Sequence, residues 1–132
     1  ETVPGITLES FLKSQDIDRV DLLKVDIEGA EIAMFDATSD QRLGTIGQIT
    51  IEFHDFVDPK MAADITRIKN RLAGLGFAGI VFSRRFHGDV LFINRNLTAI
   101  SSGRLLRLAG PVKYLRGLRR IIDRVIPRSR QK

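Results

Sequence analysis

Residues 21–36, DLLKVDIEGAEIAMFD, constrain the fold more than any other stretch of this chain. Leu22, Leu23, Val25 and Ile27 form a mostly apolar run, the pattern of a strand covered on both faces inside a parallel sheet. Gly29 ends that run, and residues 30–37 read as a helix with Ile32 and Phe35 inward. A strand passing through glycine into a helix is half of a crossover unit, so an α/β fold is expected. The same stretch poses a problem. Asp26, Glu28 and Glu31 bring three carboxylates to the end of a strand that should be inside, where an uncompensated charge is costly.

The rest of the chain continues the alternation of elements. PGITLESFLKSQDID reads as a turn at Pro4-Gly5 followed by a short helix burying Leu8, Phe11 and Leu12. SDQRLGTIG, residues 39–47, reads as a short connector. QITIEFH, residues 48–54, alternates cleanly, with Ile49, Ile51 and Phe53 on one face and Thr50, Glu52 and His54 on the other. Asp58-Pro59 reads as the N-cap and first turn of a helix. That helix carries one apolar stripe of Met61, Ile65, Ile68, Leu72 and Leu75. Residues 79–84 and 90–94 read as two strands of a hairpin, separated by FHGD. The expected class is α/β, with a parallel sheet ending in an antiparallel hairpin.

GLGFAG, residues 74–79, matches the spacing of a dinucleotide-binding turn. That turn works only after a strand and before a helix, where helix N–H groups meet the pyrophosphate. Here the order is reversed. Gly74 and Gly76 therefore read as a helix stop.

The 132 residues suffice for one modest domain, and 43% hydrophobic with 28% charged residues excludes disorder throughout. With no cysteine, neither a disulfide framework nor a thiolate metal site can form. No apolar stretch approaches the length of a membrane span, and a cytoplasmic location is expected. The net charge of +5 is divided unevenly. Residues 104–132 hold ten basic residues and one acid, Asp123, while residues 1–103 hold eleven basic and fifteen acidic residues. The chain thus divides into an α/β body, 1–103, with net charge −4, and a tail, 104–132, with net charge +9. It opens on Glu1 with no visible leader, so a segment preceding it is expected.

In open parallel sheets, ligands bind beyond the carboxyl ends of the strands. Asp26 and Glu28 lie at that end of one strand, Glu52 and His54 at that end of the next. If the strands are neighbours, their side chains converge on one crevice, able to abstract a proton, hold a divalent metal or balance a cationic cofactor. Each has a plainer reading. Glu28 and Glu31 sit at a helix N-terminus, where the macrodipole favours acids, and for Glu31 this is the preferred account. Asp26 can pair with Lys24 on the same strand face, and Glu52 and His54 can simply face solvent. His87 reads as an ordinary loop residue.

The segments ITLESFL, VDLLKVDIEGAEIAMFD, IGQITIEFH, LAGLGF and DVLFINR, in that order, resemble the FkbM-type methyltransferases. LLKVDIEGAE, residues 22–31, is the most specific of them, and the resemblance spans about residues 3–97. Ala37 departs from a frequent glycine. The resemblance implies a partial Rossmann-like methyltransferase sheet, the C-terminal half of the domain, with S-adenosylmethionine bound mainly by a missing N-terminal half. It implies transfer of a methyl group to a hydroxyl of a sugar, glycan or other hydroxylated metabolite. Asp26 or His54 would then act as base and Glu28 and Glu52 would orient the acceptor. No residue of this chain is assigned to the cofactor and no metal ligand is expected.

The tail, GPVKYLRGLRRIIDRVIPRSRQK, lies outside that resemblance. Pro111 would open a helix and Pro127 close it, with Tyr114, Leu115, Leu118, Ile121, Ile122, Val125 and Ile126 forming an apolar stripe. Arg116, Arg119, Arg120 and Arg124 lie mostly opposite, although Gly117 weakens continuity. A basic amphipathic helix suits an anionic membrane surface, which would place the protein peripherally on it. The equal alternative is packing on the acidic body or a second subunit. One aromatic among the arginines gives no stacking platform and argues against nucleic acid. Two further functions compete with the enzyme: a non-catalytic module using the tail to bind membrane, and a carboxylate-metal hydrolase, which lacks a second supporting histidine.

Overall fold

The computed structural model describes residues 5–53, 60–82 and 88–110. The chain divides between residues 99 and 100 into two units. In the first, helix α1 (Leu8–Ser14) precedes strand β1 (Leu23–Val25), helix α2 (Glu31–Asp36) and helix α3 (Asp40–Gly44). Strand β2 (Gln48–Glu52), helix α4 (Met61–Gly74) and strands β3 (Phe77–Val81) and β4 (Asp89–Asn94) follow. The second unit contains helix α5 (Ser102–Ala109).

The four strands form one mixed α/β sheet in the order β1-β2-β4-β3. β1 and β2 are parallel, with Lys24 opposite Thr50 and Val25 opposite Ile51. β4 returns between β2 and β3, antiparallel to both. The parallel pair followed by an antiparallel pair is therefore present, and the last strand lies inside the sheet, not at its edge. This is the partial Rossmann-like arrangement expected from the sequence.

Period two dictates the buried face. Ile49, Ile51 and Phe53 are buried, as their alternation requires, while Glu52 is exposed. They join Val25, Val90, Phe92 and Phe77 in one core cluster with Phe35, Leu43, Ile46, Ile65, Ile68 and Leu72. The α4 stripe accordingly supplies the three residues that seal the centre of this face. At its end, Gly76 has a φ of +90°, so the GLGFAG stretch leaves a helix and enters a strand. That geometry is a helix stop, and the dinucleotide reading fails as expected.

Polar contacts tie the helices to one another. Arg67 of α4 grips Asp36 of α2 through two bonds, 2.7 and 3.0 Å long. Arg71 donates to the carbonyl oxygens of Phe35 and Thr38, both at 2.7 Å, closing the C-terminal end of α2. Buried Asn94 donates to the carbonyl oxygens of Gly44 and Ile46, pinning the loop before β2. Glu9 of α1 accepts from the Ser39 N–H at 3.1 Å.

Four local expectations require correction. Leu22 and Ile27 are exposed, because β1 is the edge strand of the described sheet. Phe11 is exposed as well, since α1 faces the core with the i, i+4 pair Leu8 and Leu12. The connector 39–47 contains α3, capped by the Ser39 hydroxyl accepting from the Arg42 N–H. The strand expected at 79–84 occupies Phe77–Val81. Asp58-Pro59, His54, His87 and the tail from Pro111 onward lie outside the described residues. Among the described residues, no helix is long and apolar enough to cross a membrane.

Candidate functional site

β1 ends at Val25, and the chain then makes a tight, left-handed turn before α2. Glu28 has a φ of +53° and Gly29 a φ of +98°. Glycine takes such angles freely, whereas a glutamate there costs about 1–2 kcal/mol. The turn is held by Glu31, whose side chain is fully buried. Its Oε1 accepts from the Gly29 N–H at 3.2 Å and, more weakly, from the Ile27 N–H at 3.4 Å. Glu31 is therefore more than a dipole-favoured acid at a helix start. Its carboxylate fixes the loop that presents Glu28 to solvent.

The register brings the strand tips together. The register runs Lys24 to Thr50 and Val25 to Ile51, so Asp26, just past the end of β1, comes next in line with Glu52, the last residue of β2. Glu52 is in turn directly opposite Asp89 of β4. Glu52 and Asp89 thus face each other across two adjacent strands, with Asp26 just beyond the tip of the neighbouring β1, and all three are exposed. Like charges directly opposed across strands repel. The nearby cation is Lys24, whose ammonium is bonded to Asp26. Its pKa is raised, first by the hydrogen bond from Lys24 to Asp26, then by the Asp26 charge, with Glu52 adding at longer range. The ion pair weighed in the sequence therefore exists, and it sits among these acids rather than replacing them.

Asp26 lies just past the end of β1, Glu52 is the last residue of the neighbouring β2, and Glu28 is on the turn that follows Asp26. Asp89 was missed in the sequence because only the antiparallel register puts it beside Glu52. Behind the turn, Ile6, Leu8, Ile27, Ala33 and Met34 line an apolar groove of about 390 Å³. Among the described residues, no group of three or more acidic or histidine side chains could hold a metal ion.

The mixed sheet, with its polar groups at the carboxyl ends of β1 and β2, defines a Rossmann-like α/β protein. The Methyltransferase FkbM domain matches residues 1–78. That is more than half of the 132 residues, and the chain belongs to this methyltransferase family. The matched segment contains the Asp26–Glu31 turn and Glu52 and ends at the start of β3, so DVLFINR lies beyond it. No curated protein and no solved structure is similar enough to this chain to count as a match.

Proposed function

We propose that this chain forms the acceptor side of an S-adenosylmethionine-dependent O-methyltransferase site, acting on a hydroxyl of a sugar, glycan or other hydroxylated metabolite. The observation that supports the reading is the parallel pairing of β1 and β2, which end one residue before Asp26 and at Glu52, both within the family-matched segment. When bound, the donor supplies an electrophilic methyl group on a positively charged sulfur. Among the described residues the charges suit that group, since Asp26, Glu28, Glu52 and Asp89 outnumber Lys24 at the tip. The nucleoside portion is held mainly by residues other than these.

Alignment of the acceptor supplies much of the rate in such a displacement. Glu28 and Glu52 accept hydrogen bonds from acceptor hydroxyls and fix which oxygen faces the methyl. Asp26 removes the proton from that oxygen as the new carbon–oxygen bond forms, with His54 the alternative base. Lys24 holds Asp26 in place. A positioned base contributes about 10²–10⁴-fold. Asp26→Asn should therefore lower turnover by about that factor, leaving donor binding largely intact by calorimetry, since Glu28, Glu52 and Asp89 remain. Unchanged turnover would remove Asp26 from the role.

A further inference from the structure

Helix α5 presents apolar side chains to solvent, with Leu105 half-buried. None of its residues is buried, and Leu106 and Leu108 are 72% and 41% exposed. At 3.6 residues per turn, Leu105, Leu108 and Ala109 fall together with Leu106 flanking them. Arg104 and Arg107, one turn apart, occupy the other side, and the helix contains no acid. Ser101 caps it, its hydroxyl accepting from the Arg104 N–H at 3.3 Å. Among the described residues nothing buries Leu106 or Leu108, and an apolar helix face of this kind is normally covered.

The sequence beyond it repeats the same chemistry. Tyr114, Leu115, Leu118, Ile121, Ile122, Val125 and Ile126 alternate with Arg116, Arg119, Arg120 and Arg124. This region lies outside the family-matched residues 1–78, so the methyl-transfer reading does not account for it. Charge selects the partner. Residues 104–132 carry ten basic residues and one acid, a net +9, whereas residues 1–103 carry eleven basic and fifteen acidic residues, a net −4. The protein's own body can balance less than half of the tail. A second copy brings the same +9 with it. An anionic lipid surface offers negative charge at every position of the tail and an apolar layer just beneath for the leucines.

We infer that the segment beginning at Ser102 binds an anionic bilayer surface, with Leu105, Leu106 and Leu108 entering the interface and Arg104 and Arg107 reaching the headgroups. The full chain should pellet with vesicles of equal parts phosphatidylserine and phosphatidylcholine and stay in solution with phosphatidylcholine alone. Binding should fall steeply with added salt. Each arginine near such a surface is worth about fivefold in affinity, so Arg104→Gln with Arg107→Gln should cost about twenty-five-fold. Leu106→Ser with Leu108→Ser should cost at least about tenfold by removing the inserted face. Because no residue of α5 is buried, circular dichroism of the whole chain should show these variants folded.

Equal pelleting with both vesicle types, or none with either, would overturn the inference. So would vesicle binding untouched by both double substitutions. Sedimentation velocity without lipid supplies a further check: an oligomer that dissociates on Leu106→Ser with Leu108→Ser would assign the apolar face to a second copy instead.

Discussion

Gly29→Ala tests the turn at the tip of β1, because the methyl group it adds has nothing to strike. A Cβ built there meets no atom within 4 Å, while the φ of +98° is one that L-residues avoid. Any loss of stability therefore comes from the backbone angle alone, about 1–2 kcal/mol. Gly74→Ala is the matched control. It also places a methyl group in open space, but at the last residue of α4, which has no positive φ. There alanine should stabilise by about 0.5–1 kcal/mol, through helix propensity and a less flexible unfolded chain. The two variants carry the same atoms and should differ by about 2 kcal/mol in opposite directions from wild type. With a urea dependence of about 1–3 kcal/mol per molar, the unfolding midpoints should separate by about 1 M. Equal midpoints for the two variants would refute the argument that the turn is locked in its left-handed form.

Glu31→Gln keeps an acceptor oxygen but removes the charge that strengthens its bonds to the Gly29 and Ile27 N–H groups. A bond to a charged group is worth about 1 kcal/mol more than a neutral one, so about 1–2 kcal/mol should be lost in urea unfolding. Full stability in that variant would show that the carboxylate does not hold the turn. Asp36 has its pKa lowered from 3.8, chiefly by the bidentate hydrogen bonds from Arg67. Its unfolded form takes up protons at the higher pH, so the pair's contribution is present above 3.8 and is lost as the pH falls through the folded value. Asp36→Asn should thus be less stable than wild type near neutral pH and equal to it in strong acid, measured as urea midpoints at both.

The elements legible in the sequence are those whose pattern is local. Ile49, Ile51 and Phe53 announce their face by period two, and Ile65, Ile68 and Leu72 announce theirs by helical spacing. Leu22 and Ile27 mislead because burial of a strand depends on how many neighbours flank it, which no residue in β1 encodes. The return of β4 between β2 and β3 is equally non-local. Ser39 followed by Asp40 was a legible cap signal for α3, obscured because the helix has only five residues. At the site, residue type exposed Asp26, Glu28 and Glu52. Two facts required coordinates: that Asp89 faces Glu52, and that Glu31 bonds backward into the turn instead of facing solvent.

Two local costs meet at the tip of β1 and β2. A non-glycine residue, Glu28, has a positive φ, and Glu52 faces Asp89 across the ladder. Neither helps the sheet form, since a glycine at 28 and a lysine at 89 would relieve both. Instead, neighbouring residues are committed to supporting the arrangement: Glu31 is buried to clamp the turn, and Lys24 offsets the acids without separating them. Local rules broken in one small region and supported by the residues around it are expected where a surface is shaped for chemistry. Helix α5 is the converse case. Its cap and its alternation are internally consistent, yet Leu106 and Leu108 stay exposed among the described residues. If the proposals made for these two regions hold, the substitutions that disable one should leave the other intact.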